Sequence, residues 1–239
     1  MNYNDYEMDV TFRERELEAS AALPVLMRKV YLWMTLALTI TGFTAFAVAT
    51  TPNLQQIVYY NQWVMWGLII AEFALVIAIS MAINKLSLTT ATLLFVLYSV
   101  INGATLSVIF VAYSIGTISM VFFITAGTFA AMGLLGYFIK SDLSGIGKIL
   151  FMALIGIIIA TIVNVFVKSS GLDMIISYAG VLVFVGLTAY DTQKIKNMLL
   201  MAGDTSEGSQ KIALLGALSL YLDFINLFLY LLRIFGRRN

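Results

Sequence analysis

Cysteine and histidine are both absent from this chain of 239 residues. Without cysteine there are no disulfides, no thiolate metal sites and no cysteine nucleophile. Without histidine there is no Ser-His-Asp triad and no imidazole ligand for a metal, so a response to pH near neutrality has to come from carboxyl groups in unusual surroundings. Proline occurs only twice, at Pro24 and Pro52, and both lie outside the spans predicted below.

Charge is also scarce. Charged residues make up 11% of the chain and hydrophobic residues 61%, with a mean hydropathy of +0.94. A soluble domain carries about 25% charged residues, so this composition indicates that most of the chain is surrounded by lipid. The net charge of +1 gives no support to a nucleic-acid partner.

Apolar stretches of about 20 residues, the length that crosses a bilayer, alternate with polar or glycine-containing breaks. They predict an all-α membrane protein with seven transmembrane helices in a single domain. The expected spans are 30–49, 62–83, 88–112, 117–139, 148–167, 174–191 with a helical extension to residue 201, and 212–235. Small residues four apart, as in Gly127/Ala131 and Gly156/Ala160, predict close helix packing at those places.

The first 27 residues mix acids and bases and lack the apolar core of a signal peptide. They are predicted to be a mobile cytosolic tail, with a surface-lying helix over 11–22 as one arrangement, ahead of a transmembrane domain over 28–239. With the N-terminus inside, ten of the lysines and arginines fall on the cytosolic side and four outside. This distribution follows the positive-inside rule. The arginine-rich C-terminus is an exception, and the side of the membrane on which it lies stays an open question.

Three carboxylic acids, Glu72, Asp191 and Asp223, fall inside apolar spans. An ionised carboxylate at the bilayer centre costs about 3 kcal/mol on insertion scales, so acids there usually have a function. Asp191 and Asp223 lie on the last two spans and could face each other. Two neighbouring carboxyls titrate as a pair, so they could respond to neutral pH without histidine.

Each acid also has a structural interpretation. Asp191 could pair with Lys194 at the membrane surface. Asp223 could be a protonated acid bonded between helices. It belongs to a polar stripe on one face of the last span, formed by Ser219, Asp223, Asn226 and Tyr230. Glu72 could bond to a backbone carbonyl or to an asparagine, Asn102 or Asn164, instead of lining an ion pathway.

Several segments carry a resemblance to a known family. VGLTAYDTQKIKN and LYLDFINLFLYLLRIFG, preceded by LYSVINGATLS and MALIGIIIATIVN, resemble the Bax inhibitor-1 family, and its bacterial inner-membrane members most closely. The resemblance extends from about Arg28 to the C-terminus.

This resemblance implies seven helices with the C-terminal helix at the centre. It also implies a pH-sensitive Ca²⁺ leak channel gated by the aspartate pair, Asp191 and Asp223, which would bind Ca²⁺ weakly. A basic latch residue near the cytosolic end of the second span maps onto Lys85, and Glu72, Asn102 and Asn226 are candidate pathway residues. No cofactor beyond the transported Ca²⁺ and no oligomer are expected.

Three other functions compete with the channel. A non-conducting regulatory protein would bind a partner, such as a membrane protease, through the N-terminal tail or the loop AGDTSEGSQ. A proton-coupled cation exchanger would use the same acids as the channel. An intramembrane aspartyl protease would carry a Tyr-Asp pair on one span and a second aspartate on the next, as Tyr190-Asp191 and Asp223 do here. However, the Gly-x-Gly-Asp motif of such proteases is replaced here by LYLD, and their Pro-Ala-Leu motif is missing. We therefore expect no enzyme.

Overall fold

The computed structural model describes the backbone of residues 3–236 and the side chains of residues 17–236. Within that part of the chain, every regular element is a helix. The helices are α1 (Tyr3–Thr50), α2 (Pro52–Tyr59), α3 (Gln62–Ala82), α4 (Leu88–Leu106), α5 (Ile109–Ala112), α6 (Ile115–Phe138), α7 (Ser144–Val167), α8 (Ser170–Ala202) and α9 (Glu207–Phe235).

Seven segments are long and apolar enough to cross a membrane, which confirms the predicted fold class. They are Leu17–Thr50 of α1, Leu88–Ala112 formed by α4 and α5, and the whole of α3, α6, α7, α8 and α9. The helical extension of the sixth span is confirmed, since α8 is one continuous helix of 33 residues.

Because the spans alternate in direction, the connections fall at two ends of the bundle. We call the end with connections 83–87, 139–143 and 203–206 the proximal end, and the opposite end the distal end. Hydrogen bonds join helices at this end: the backbone N–H of Leu88 at the start of α4 donates to Oε1 of Glu207 at the start of α9 at 3.0 Å, and Nζ of Lys29 in α1 donates to Oε1 of Gln210 in α9 at 2.9 Å.

The first helix is longer than its apolar stretch. It continues through Pro24, and Ala22, Leu23, Leu26 and Met27 are buried. Among residues 17–236 the buried side chains begin at Ala22, earlier than the boundary expected at Arg28, because these side chains join the core. The side chains of residues 1–16 lie outside the described part, and the mobility of the first residues stays a prediction.

The C-terminal helix lies at the centre of the bundle, as expected. It packs against α1, α4, α6 and α8. Of its most apolar stretch, 67% is buried, compared with 6% in α3 and in α7. Those two helices are peripheral: α3 packs against α4 and the short α2, and α7 packs against α8.

Close helix approaches occur at glycines other than those predicted. A Cβ on Gly136 of α6 would overlap the backbone carbonyl of Ala189 in α8. At Gly127 and Gly156 a Cβ would meet nothing within 4 Å. The predicted packing at Gly127 and Gly156 is wrong, because both residues lie on exposed faces of their helices.

We expect Gly136→Ala to destabilise the bundle, because the added methyl group meets backbone that cannot rotate away. Overpacking of this kind costs roughly 1–3 kcal/mol. Thermal unfolding in a fixed detergent would measure the effect. Gly127→Ala is the matched control on the same helix, and equal melting temperatures for the two variants would show that the α6–α8 approach is not tight.

Candidate functional site

A cavity of about 970 Å³ lies beside the central helix, between α3, α4, α7, α8 and α9. Its lining includes five of the six residues singled out in the sequence: Glu72, Asn102, Asp191, Asp223 and Asn226. The sixth, Lys85, lies in the exposed turn after α3 and is not part of the lining. Its role as a latch stays a prediction.

The polar stripe of α9 forms the floor of this cavity. Ser219, Asp223, Asn226 and Tyr230 all line it, together with apolar residues of the same helix. The remaining faces of α9 pack against α1, α4, α6 and α8. The cavity is therefore where the polar groups of α9 are accommodated in an otherwise apolar helix.

Asp223 is the most buried of the three acids, with 5% of its surface exposed. Its Oδ2 atom has no hydrogen-bond partner among the residues that the structure describes. A buried polar atom left in this state costs roughly 1–3 kcal/mol, and more if it is charged. An ionised Asp223 therefore needs a cation or a proton donor in the cavity.

Asp191 reaches the same cavity from α8 and is half-buried. The suggested ion pair with Lys194 is not formed: over residues 17–236 the salt bridges are Lys211–Glu207 and Arg233–Asp173. Instead, Nζ of Lys194 lies 5.9 Å from the ring centroid of Tyr190. The structure thus brings both aspartates to one cavity, and Asp191 forms no salt bridge within residues 17–236.

Glu72 enters the cavity from α3. Its Oε1 accepts a hydrogen bond of 2.5 Å from the hydroxyl of Thr105 in α4. The alternative partner Asn164 is engaged elsewhere, since its Oδ1 accepts from the backbone N–H of Ser169 at 3.0 Å. Thr105, three residues after Asn102, was missed in the sequence because threonine is common in apolar helices.

A buried chain of hydrogen bonds continues from the cavity into the core. The hydroxyl of Tyr221 donates to Oδ1 of Asn102 at 2.8 Å and lies 2.7 Å from the hydroxyl of Thr41. Thr41 in turn donates to the carbonyl of Ser99 at 3.0 Å. These contacts join α1, α4 and α9, and they fix Asn102 at the wall of the cavity.

The AYDTQK segment of α8 builds the proximal wall of the cavity. Gln193 is buried and holds the 139–143 connection: its Oε1 accepts from the N–H of Leu143 at 2.9 Å, and its Nε2 donates to the carbonyl of Ser141 at 2.8 Å. Tyr190 packs so closely on Gly147 of α7 that a Cβ there would overlap its ring. Asp191 is therefore held beside a fixed connection and the start of α7.

Two lysines also line the cavity, Lys148 of α7 and Lys194 of α8. Both are exposed and lie towards the proximal end. No group of three or more acidic side chains over residues 17–236 is arranged to hold a metal ion. A cation in this cavity would therefore meet at most two carboxylates at a time, beside a basic mouth.

Two acids in the proximal connections, Asp142 and Asp204, have lowered pKa values. Hydrogen bonds from Ser144 hold the pKa of Asp142 below its usual range. Hydrogen bonds from Ser209 and Ser206 do the same to the pKa of Asp204. Both acids therefore stay ionised across pH 6 to 8 and cannot produce a response in that range.

Together, the fold and this cavity define a class: multi-pass α-helical membrane proteins with buried carboxyl groups at the centre of a seven-helix bundle. The family model described as "Inhibitor of apoptosis-promoting Bax1" matches residues 23–239. The chain belongs to this family, the Bax inhibitor-1 family, which confirms the resemblance seen in the sequence.

Relatives cover nearly the whole chain. The inner membrane protein YbhL of Escherichia coli K12 is 51% identical over 225 residues, covering 93% of this chain and 96% of that protein. An uncharacterized protein of Borreliella burgdorferi is 47% identical, covering 89% and 92%. One of Rickettsia prowazekii is 40% identical, covering 98% and 99%.

We expect Tyr221→Phe to lower the free energy of unfolding by roughly 1–3 kcal/mol, because Asn102 loses a buried donor that nothing else replaces. Chemical or thermal unfolding in detergent would measure the loss. Tyr178→Phe, on an exposed tyrosine of α8, is the control. Equal stability of the two variants would mean that the hydrogen-bond chain does not hold the helices together.

We expect Gln193→Leu to release the 139–143 connection, since Leu143 and Ser141 lose their side-chain partner. Hydrogen exchange followed by mass spectrometry should show faster exchange at the amide of Leu143. Asn197→Leu, one turn further along α8 and exposed, should leave that exchange unchanged. Similar rates in both variants would contradict the assigned role of Gln193.

Proposed function

We propose that the protein is a pH-sensitive Ca²⁺ leak channel in which Asp191 and Asp223 form the gate. The observation that carries the proposal is that both carboxyls line one cavity, with Asp223 buried in its floor and its Oδ2 atom without a hydrogen-bond partner within residues 17–236. Carboxylate oxygens are the ligands that Ca²⁺ prefers. No enzymatic step is needed for this activity.

The opening and closing of the gate would follow from the electrostatic interaction between the two carboxyl groups. When protons are shared, the two carboxyls attract each other and bring α8 and α9 together across the cavity. When both are ionised they repel each other, and the path between the helices opens to cations. Without a third ligand to complete a cage, binding is weak, and a pathway for ions needs weak sites.

Glu72 supports the proposal from the other side of the cavity. It lies ten residues before the end of α3, about 15 Å from the proximal end of that helix. Asn102 and Asn226 add amide groups to the lining of the same cavity. A cation would thus find oxygen atoms along the cavity, with Glu72 and Asp223 at depth.

The name of the Escherichia coli relative places that protein in the inner membrane. We infer the same location for this chain, with the proximal end in the cytosol as the distribution of lysine and arginine indicates. The cavity would then be basic at its cytosolic mouth and acidic further in.

Ca²⁺ entry into proteoliposomes tests the channel. We expect flux through the wild type to rise between pH 6 and pH 8 as the pair ionises, and Asp191→Asn and Asp223→Asn to remove this pH dependence. Asp142→Asn, which changes an exposed acid of a connection, should keep the wild-type profile.

Three outcomes would contradict parts of the proposal. Wild-type flux equal to that of empty liposomes would sink the leak channel and favour the regulatory protein that binds a partner. A wild-type pH profile in both cavity variants would show that the aspartates are not the gate. Proton export in fixed ratio to Ca²⁺ entry, measured with a lumenal pH dye, would indicate an exchanger.

A further inference from the structure

The cavity opens sideways towards the lipid. Phe73 of α3 and Phe151, Met152 and Ile158 of α7 line it, yet 50–69% of each of these side chains is exposed. The two helices that carry them are peripheral, since α3 packs against α4 and α2, and α7 packs against α8. The gap between α3 and α7 is therefore an apolar cleft that faces the bilayer.

A pair of ammonium groups marks the proximal end of this cleft. Lys148 lies one turn into α7, and Lys194 lies one turn beyond Asp191 on α8; both line the cavity. Neither takes part in a salt bridge within residues 17–236. From Lys148 to Ile158 the cleft extends ten residues along α7, about 15 Å, which is half the thickness of the hydrocarbon core.

The acids near this pair form no salt bridge with it within residues 17–236. Asp223 is buried behind the cleft in the floor formed by α9, and Glu72 is bonded to Thr105 at depth. Asp191 is half-buried, and the exposed Asp142 bonds to the N–H of Ser144 outside the cavity lining. Of the charged residues that line the cavity, the two lysines are therefore the exposed ones.

We propose that the cleft between α3 and α7 binds an anionic phospholipid of the surrounding bilayer, with its phosphate at Lys148 and Lys194. One acyl chain would lie along Phe73, Phe151 and Ile158. Lysine ammonium groups are common phosphate ligands, and basic pockets between transmembrane helices recognise anionic headgroups. The site goes beyond the proposed channel and does not require that the protein conducts ions.

Fluorescence quenching by brominated lipids tests this site. In a background where Trp33, Trp63 and Trp66 are changed to Phe, Phe151→Trp places an indole in the cleft. Brominated phosphatidylglycerol should compete for this position more strongly than brominated phosphatidylcholine, by a factor on the order of ten for two lysines. The same reporter introduced by Phe138→Trp, on an exposed position at the proximal end of α6, should show little preference.

Charge variants then identify the headgroup site. Lys148→Gln with Lys194→Gln should abolish the preference at the cleft. Arg28→Gln with Lys140→Gln removes the same charge from exposed proximal positions outside the cavity and should preserve it. If the double lysine variant does not fold, each single variant should still lower the preference severalfold.

Two results would overturn the proposal. One is the same preference for phosphatidylglycerol at the cleft and at the Phe138 position, which would mean general attraction to a basic surface. The other is a preference at the cleft that persists without the two lysines. The readout does not involve Ca²⁺, so failure here leaves the channel proposal to its own test.

Discussion

The polar stripe of α9 cannot face hydrocarbon, and this constraint orders the helices around it. In a membrane a polar atom without a partner costs several kcal/mol, because no water is present to replace the missing bond. Four helices cover the other faces of α9. The stripe faces the cavity, so that Asp223 and Asn226 share its lining with Asp191 of α8.

The same constraint explains why neutral polar groups accompany the acids. Tyr221 lies on a different face of α9 from Asn226 and is fully buried, so its hydroxyl needs partners in the core. Asn102 and Thr41 provide them. Asn102 then faces both the core and the cavity, which couples the position of α9 to the wall formed by α4. At the proximal end, the side chain of Gln193 joins α8 by hydrogen bonds to the connection that leads into α7.

The transmembrane spans and the acids of the candidate site could be predicted from the sequence, each for a different physical reason. A transmembrane span is determined by the hydropathy of consecutive residues, so the sequence alone locates it. An acid within an apolar stretch, such as Asp223, can likewise be recognised without a structure. Tyr221, Thr105 and Gln193 were missed because a neutral polar residue reveals its role only through its partner, which is distant in sequence. The close approach at Gly136 was missed likewise, since small residues show where packing is allowed and not what lies opposite.

The start of the packed region could not be predicted either, because it too depends on contacts with residues distant in the sequence. Residues 22–27 include a proline and adjoin a charged segment, which favours a boundary, yet Leu26 is fully buried. Its burial depends on helices that come later in the chain. Pro24 removes one backbone hydrogen bond of α1, and the burial of Leu23, Leu26 and Met27 in the same stretch of the helix offsets that loss.

The charges of the cavity link the two proposals through electrostatics. In the proposed channel, Lys148 and Lys194 at the mouth would repel a cation before it reached the acids and would oppose its entry from the proximal end. The phosphate of an anionic lipid at these lysines would neutralise that barrier without touching Asp191 or Asp223. The lipid composition of the membrane would then alter the rate of cation entry, while the aspartates would set its dependence on pH.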